Sequence, residues 1–210
     1  MLKELSLEVF VREVATATPA PSSGSVAALA GAQAAGLLSM YCNVSQDRER
    51  LGDSVDQIQK TGEEARYLMN RQLEMVDEDT VAFNQVMEAF RTEKTQLANR
   101  QVRDAEIVET VGNAAEITLQ SARGALRTLF LISEVACKGN PSALTDLGLA
   151  NLQAIACLTG SYYNILANLA LLKNRGNAAV ISREAEEILN QGQELFRLNQ
   201  ENIEEKLQAP

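Results

Sequence analysis

The sequence contains no histidine, only four prolines and few aromatic residues among its 210 positions. Without histidine, the chain lacks the commonest general base, the Ser-His and Cys-His nucleophile pairs, and every histidine-based metal site. No cysteine pair has the spacing of a zinc site, and no phosphate-loop or dinucleotide-binding fingerprint occurs. Any acid–base chemistry therefore falls to Asp, Glu, Lys, Tyr or Cys, and we expect no metal site.

Basic charge is also scarce, since the formal net charge is −9 and the sequence pI is about 4.7. No basic stripe is available to neutralise phosphates, which argues against nucleic acid and against an anionic membrane surface as partners. Cys42, Cys137 and Cys157 all lie in apolar helical contexts. Their odd number favours reduced thiols in the core of a cytoplasmic protein. The first residues form an amphipathic pattern at once, so we expect no cleaved signal.

A stretch of 33 residues, Val14 to Gln46, carries no charge and consists mostly of small side chains. Within it, Pro19-Ala20-Pro21-Ser22-Ser23-Gly24-Ser25 runs into an alanine-rich segment. This pattern predicts a helix that begins near Ser23 or Ser25, with one of these as its N-cap, and ends near Val44. The open end of such a helix can receive an anionic or electron-rich ligand group. Its prolines, serines and lack of bulky side chains favour a buried core helix over a membrane span.

The rest of the chain predicts an all-α bundle in one domain, residues 1–210. A second charge-free stretch, Leu147–Leu172, predicts a second interior helix, and amphipathic helices should surround this central pair. The hydrophobic spacing places these outer helices at residues 2–17, 54–91, 99–112, 114–137 and 177–207, with breaks at 92–98 and at Lys138–Ser142.

Asp146 is a lone carboxylate at the start of the second charge-free stretch. One interpretation is structural, because an acid at a helix N-terminus complements the helix dipole. The other is functional: a partly buried carboxylate with a tuned pKa at the opening of a pocket. The residues alone leave both interpretations open.

Three further polar positions allow the same two interpretations. Asp79 ends the acidic run Asp77-Glu78-Asp79, and such runs on amphipathic helices are usually solvated. Asn164 and Asn168 lie one turn apart on the apolar helix and share a face. Their amides must find partners, either across the bundle or on a polar heterocyclic ligand.

Five segments in order resemble the formimidoyltetrahydrofolate cyclodeaminase / methenyltetrahydrofolate cyclohydrolase family. The segment from Pro19 to Leu29 resembles the family's Pro-(Ala/Thr)-Pro-Gly-Gly-Gly-Ser-Val motif. Matches to four further family patterns follow in register, at Asp77–Phe83, Ala114–Leu119 (the family's Ala-Ala-Glu-Val-Pro-Leu), Gly139–Asp146 (Gly-Asn…Ser-Asp) and Asn164–Leu169. Lys94 falls where the family ends a Leu-Pro-Lys turn. Together these segments cover nearly the whole chain.

The resemblance implies an all-helical homodimer and an enzyme that acts at the N5/N10 bridge of tetrahydrofolate without a metal or redox cofactor. It implies that Asp146 moves protons, that Asp79 supports it or orients the pterin, and that the substrate's polar atoms meet the remaining positions: Ser22, Ser23, Gly24, Ser25, Lys94, Asn140, Asn164 and Asn168.

This chain departs from the family pattern at two places. Ser22 and Ser23 stand where the family has glycines, and Gln46–Arg50 replaces a Gly-Lys or Gly-Arg-Arg segment. A side chain now occupies space that glycine leaves open. The alternative function is therefore a non-catalytic homodimer that binds folate or a protein partner and keeps the family fold.

Overall fold

The computed structural model describes residues 1–46, 52, 54–91, 97–136, 138–173 and 176–208. Within these residues all regular structure is helical, so the predicted fold class is confirmed. The six α-helices are α1 (Leu7–Val14), α2 (Ser23–Asn43), α3 (Ser54–Arg91), α4 (Leu97–Val135), α5 (Leu144–Leu172) and α6 (Ala178–Gln208). Two 3-10 turns, Leu2–Glu4 and Pro141–Ala143, precede α1 and α5.

Helix α2 is the centre of the bundle, as its sequence predicts. It packs against α3, α4 and α5, and Ala34, Leu38 and Tyr41 are fully buried. Small residues allow the close approach: a side chain at Gly31 would collide with Cys157 of α5 and Gln72 of α3. By length and composition alone, α2 and the segment Pro141–Leu172 are both apolar enough to cross a membrane. The buried position of α2 accounts for its composition.

Helix α5 corrects the prediction of two interior helices. One face, with Leu147, Leu158 and Ile165, is buried against α2, α4 and α6. The opposite face carries exposed Leu152 and Tyr163. The sequence predicts burial from the lack of charge, but one chain covers only half of this helix.

Two other predicted boundaries are wrong. The helix predicted for residues 2–17 is split, because Ser6 caps α1 by accepting a hydrogen bond from the Val9 amide. The break predicted at residues 112–114 does not exist, since α4 continues to Val135. Glycine in a helix costs only about 1 kcal/mol, which packing readily outweighs. By contrast, the bounds predicted for α3 are confirmed. The predicted break at 92–98 falls largely outside the described residues, and α4 begins at Leu97.

The arrangement of helices creates two polar ends. At one end, the start of α2 meets the middle of α3 and the C-terminal half of α5. At the other, the C-terminus of α2 meets the connection between α4 and α5. The first of these, which we call the mouth, is defined by Ser22, Ser25, Asp79 and Asn164.

Candidate active site

The mouth is built around the carboxylate of Asp79 on α3. Oδ2 of Asp79 accepts hydrogen bonds from the hydroxyls of Ser25 (3.2 Å) and Ser22 (3.5 Å). Oδ1 accepts one from Nδ2 of Asn164 (3.1 Å). Donors at the start of α2 and on α5 therefore converge on one carboxylate of α3, although they lie 54 to 85 positions from Asp79 in sequence.

The start of α2 explains why serine hydroxyls are available there. Ser22 occupies the N-cap position, but its side chain accepts no capping hydrogen bond. The predicted N-cap, Ser23 or Ser25, is thus wrong by one or three residues. Ser25 lies inside the first turn and is fully buried, and its hydroxyl points at Asp79 and also pairs with Thr80. Ser23 is exposed.

Gly24 is required by the close approach of α2 to α3 and α5. A methyl group at this position would collide with the carboxylate of Asp79 and the amide of Asn164. The glycine therefore lets the backbone at the start of α2 lie directly against both side chains.

Burial raises the pKa of Asp79 above its ordinary value. Hydrogen bonds from the Ser25 hydroxyl, Asn164, the Ser25 backbone and Ser22 act in the opposite direction but are outweighed by burial. All these donors are neutral. In contrast, the guanidinium of Arg127 lowers the pKa of Glu64 on the surface of the bundle. A partly buried carboxylate among neutral donors is a typical environment for an acid–base group.

The other acids of the same run have structural partners. Oδ1 of Asp77 accepts a hydrogen bond from the Leu2 amide at 2.5 Å. Glu78 forms a bidentate ion pair with Arg71. Of the three acids, only Asp79 faces the mouth, so the run is not one uniformly solvated face.

Sequence reasoning missed two hydroxyls of the mouth. Thr80 pairs with Ser25 at 3.2 Å, and Thr118 on α4 accepts from Nδ2 of Asn164 at 3.4 Å. Thr80 is next to Asp79 in sequence, which is a usable signal. No local pattern singles out Thr118. Asn168 lies one turn beyond Asn164 and is half-buried.

Asn140 lies at the opposite end of the bundle. Its amide donates to Oγ of Ser45 (2.7 Å) and its Nδ2 to the carbonyl of Val44 (3.3 Å), while its Oδ1 accepts from the Ser142 amide. These bonds fasten the α4–α5 connection to the C-terminus of α2. In one chain, Asn140 is thus a structural residue remote from the mouth.

Asp146 lies near Asn140 in the first turn of α5, half-buried. Eighteen residues of one continuous helix separate it from Asn164, which is about 27 Å along the axis. Within one chain, Asp146 and Asp79 therefore do not lie at the same site. A helix of 29 residues cannot bring its two ends together.

The remaining predicted positions divide in two. Lys94 and Cys137 lie outside the described residues. Cys42 and Cys157 are buried, and burial raises the pKa of the two thiols to about 12 and about 11. They are core residues, as predicted, and not nucleophiles.

Comparison with known proteins decides the family. The family described as formiminotransferase-cyclodeaminase matches residues 6–187. The chain belongs to this family.

Individual relatives cover the chain to different extents. A methenyltetrahydrofolate cyclohydrolase of Methylorubrum extorquens is 28% identical over 96% of this chain and 97% of its own length. The formimidoyltransferase-cyclodeaminase of Mus musculus is 32% identical over 80% of this chain, but the match takes in only 31% of the mouse protein. The crystal structure of a formiminotetrahydrofolate cyclodeaminase from Thermotoga maritima has a TM-score of 0.82 at 20% identity, covering 99% of this chain and 98% of that one.

The mouth of this formiminotransferase-cyclodeaminase family member departs from the family pattern described above at Ser22, Ser23 and Thr118. Of the two serines that replace motif glycines, Ser23 is exposed and Ser22 directs its hydroxyl at Asp79. Thr118 stands where the family pattern has proline, and its hydroxyl contacts Asn164. Both changes add hydroxyls around the carboxylate.

Proposed function

We propose that this protein is a folate one-carbon enzyme that acts at the N5/N10 bridge of tetrahydrofolate. It is either a formimidoyltetrahydrofolate cyclodeaminase or a 5,10-methenyltetrahydrofolate cyclohydrolase. The observation that carries the proposal is Asp79, a partly buried carboxylate that accepts hydrogen bonds from neutral donors among the described residues at the open end of α2.

Both reactions need one group to move a proton around a single carbon. In the cyclodeaminase reaction, N10 attacks the formimidoyl carbon, loses its proton, and the C–N bond to the leaving ammonia breaks. In the cyclohydrolase reaction, water adds to the methenyl carbon and loses one proton; the C–N5 bond then breaks as the remaining hydroxyl proton is transferred to N5 and the carbon becomes the formyl group. Asp79 would accept the proton from N10 or water, and in the cyclodeaminase would pass it to the leaving nitrogen. A raised pKa suits this exchange, because the protonated form persists closer to neutral pH.

The start of α2 would stabilise the tetrahedral intermediate. Its first backbone amides point out of the helix, and the helix dipole adds partial positive charge at the same end. Gly24 has no side chain, so this backbone lies directly against Asp79 and Asn164. Asn164, fixed by Asp79 and Thr118, would orient the substrate ring.

This assignment changes the roles inferred from the sequence. Asp79, rather than Asp146, is the residue that transfers the proton at the mouth. Asp146 does not reach the mouth of its own chain. No step in either reaction requires a metal or a redox cofactor. We further propose that residues 1–210 form one catalytic domain that works as a homodimer in the cytoplasm, with a small-molecule folate as its partner and no nucleic acid or membrane.

Absorbance of the methenyl chromophore tests the proposal. Purified protein is mixed with 5,10-methenyltetrahydrofolate, and separately with 5-formimidoyltetrahydrofolate, beside protein-free controls. Faster decay of the first identifies a cyclohydrolase, and faster appearance from the second a cyclodeaminase. If neither rate exceeds its control while the protein still binds folate, the chain is a binding protein and the proposal is wrong.

A further inference from the structure

Thr118 lies inside α4 and directs a hydroxyl at the mouth. Its side chain is 4% exposed. Oγ1 donates its proton to the carbonyl of Ala114, one turn earlier, at 2.9 Å. The same oxygen accepts a hydrogen bond from Nδ2 of Asn164 on α5 at 3.4 Å. Thr118 therefore meets the amide of Asn164 as an acceptor, because the single proton of its hydroxyl is already used.

The amide of Asn164 is held in one orientation by two acceptors. Nδ2 donates to Oδ1 of Asp79 at 3.1 Å and to Oγ1 of Thr118 at 3.4 Å. Turning the amide over would place its oxygen against these two oxygens, and Thr118 would have to give up its bond to Ala114 in order to donate. Among the described residues, no hydrogen-bond donor contacts the amide oxygen of Asn164. The hydrogen-bonding partners thus fix which end of the amide faces Asp79.

The two oxygens of Asp79 face donors of different kinds. Oδ1 faces the NH2 group of an amide, which can only donate. Oδ2 faces the hydroxyls of Ser25 and Ser22, and a hydroxyl can donate to a carboxylate or accept from a carboxylic acid. When Ser25 accepts, its own proton has a partner in Thr80, because the two hydroxyl oxygens lie 3.2 Å apart and either can donate. Of the two oxygens, Oδ2 is the one whose partners suit Asp79 both with and without a proton.

We propose that Thr118 is a positioning residue that holds the NH2 group of Asn164 on Asp79, so that Asp79 gains and loses its proton at Oδ2. Protonated Asp79 cannot fix the amide by itself, because a proton on Oδ1 would pair equally well with the oxygen of a turned amide. Thr118 removes that alternative. The use of this proton rests on the proposed function, whereas the orientation of the amide does not.

This role belongs to the present chain, because the family pattern has proline at position 118. Proline has neither a hydroxyl nor an amide proton, whereas Thr118 lies within an uninterrupted α4. Ser22, which replaces a motif glycine, adds a hydroxyl on the other side of the same carboxylate. The two departures from the family pattern therefore act on opposite oxygens of Asp79, a fixed donor at Oδ1 and a reversible hydroxyl at Oδ2.

Charged groups around Asp79 have partners of their own. Helix α2 and the adjoining part of α5 contain no charged residue. On α3, the other two acids of the run bond to the Leu2 amide and to Arg71. On α4, Glu116 is ion-paired with Arg123. Among the described residues, neutral hydrogen-bonding groups therefore decide where Asp79 carries its proton.

The ionisation of Asp79 in the free protein tests the inference without an enzyme assay. Carbon-13 NMR of aspartate-labelled protein follows the Asp79 carboxyl signal against pH, and the signal is identified by its absence from Asp79→Asn. Thr118→Val keeps the shape of the side chain but loses the hydroxyl, so the amide can turn and accept from a proton on Oδ1. We expect the pKa of Asp79 to rise, with its acid dissociation constant lower by about three-fold. Thr118→Ser, which keeps the hydroxyl, should retain the wild-type pKa.

A double-mutant cycle shows whether the effect passes through the amide. In an Asn164→Ala background, Thr118→Val should leave the pKa of Asp79 unchanged, because no amide remains to turn. An equal rise in both backgrounds would mean that loss of the hydroxyl acts by desolvation, and the positioning role would be wrong. An unchanged or lowered pKa in the single variant Thr118→Val would equally overturn it.

The pH dependence of turnover connects this position with the chemistry. The limb of the kcat profile that reports Asp79 should move to higher pH in Thr118→Val by the same factor as the NMR titration, and Thr118→Ser should superimpose on wild type. A lower kcat with no displacement of that limb would show that Thr118 has a structural role alone, and this result would contradict the inference.

The two experiments separate failure of this inference from failure of the proposed function. If wild-type protein shows no turnover while the pKa of Asp79 depends on Thr118 through Asn164, the proposed function is wrong and the orientation of the amide is supported. If wild-type protein turns over a folate while neither the pKa nor the kcat profile depends on Thr118, the proposed function is supported and the positioning role is wrong.

Discussion

Asp79 and Asp146 are two carboxylates beside uncharged helices, and they differ in their surroundings. Asp79 is enclosed by hydroxyl and amide donors from α2 and α5, and burial raises its pKa. Asp146 is half-buried at a helix start, and in the described part of the chain no side-chain donor contacts it. Of the two carboxylates, Asp79 is therefore the one that its own chain surrounds with hydrogen-bond donors. The other carboxylate lies on α5, the helix whose outer face carries exposed apolar side chains.

The largest effect should come from Asp79→Asn. The amide can accept from Ser25 or Asn164 but cannot carry a proton, so turnover should fall by about 10²- to 10⁴-fold. The variant should fold normally, because the change removes a buried carboxylate without changing its size. Steady-state kinetics on either folate substrate, with circular dichroism of the folded protein, measures both. Wild-type turnover in this variant would remove Asp79 from the mechanism.

Gly24→Ala should have the next largest effect. Its methyl group would push the Asp79 carboxylate and the Asn164 amide out of position, and we expect a loss of about 10- to 100-fold in kcat/KM. Gly148→Ala is the matched control, because an added methyl there meets only Ile203 at an ordinary contact distance of 3.6 Å. Equal losses in the two variants would mean that the loss does not come from displacement of Asp79 and Asn164.

A smaller effect is the pH dependence of stability. Because the folded pKa of Asp79 is raised, the folded state binds a proton that the unfolded state has already lost. The stabilisation that protonated Asp79 gives to the folded state is fully present below the pKa of Asp79 in the unfolded chain. This stabilisation is lost as the pH rises through the pKa of Asp79 in the folded chain. The melting temperature of wild type should therefore fall relative to Asp79→Asn between pH 4 and pH 8, by less than about 4 °C, the shift that 1 kcal/mol produces at this size. A difference that is constant with pH would contradict the raised pKa.

Much of the fold was accessible from the sequence, because hydrophobic spacing and charge-free stretches are local signals. The bounds of α3 and the central place of α2 follow from such signals. The burial of Asp79 does not, since an acidic run at helical spacing resembles a solvated face. The packing of the start of α2 against α3 is what surrounds Asp79 with hydroxyl and amide donors.

The separation of Asp146 from Asn164 was deducible from the sequence, because both lie on one predicted uninterrupted helix. What the sequence could not reveal is which partner covers the outer face of α5. The absence of charge predicts that this face is buried. It does not distinguish burial against the same chain from burial against a second copy.

The smallest expected effects on kcat come from substituting the two serines of the mouth, Ser25 and Ser22. Ser25 is fully buried and donates to Asp79 at 3.2 Å, whereas Ser22 is partly exposed and donates at 3.5 Å. A hydrogen bond contributes about 0.5–1.5 kcal/mol, and a long, partly solvated one less. Ser25→Ala should therefore lower kcat by about 10-fold, and Ser22→Gly, which restores the family's glycine, by less than about 3-fold. Kinetics on both variants side by side decides the point. A larger loss from Ser22→Gly would mean that this chain has come to depend on the hydroxyl that sets it apart from its family.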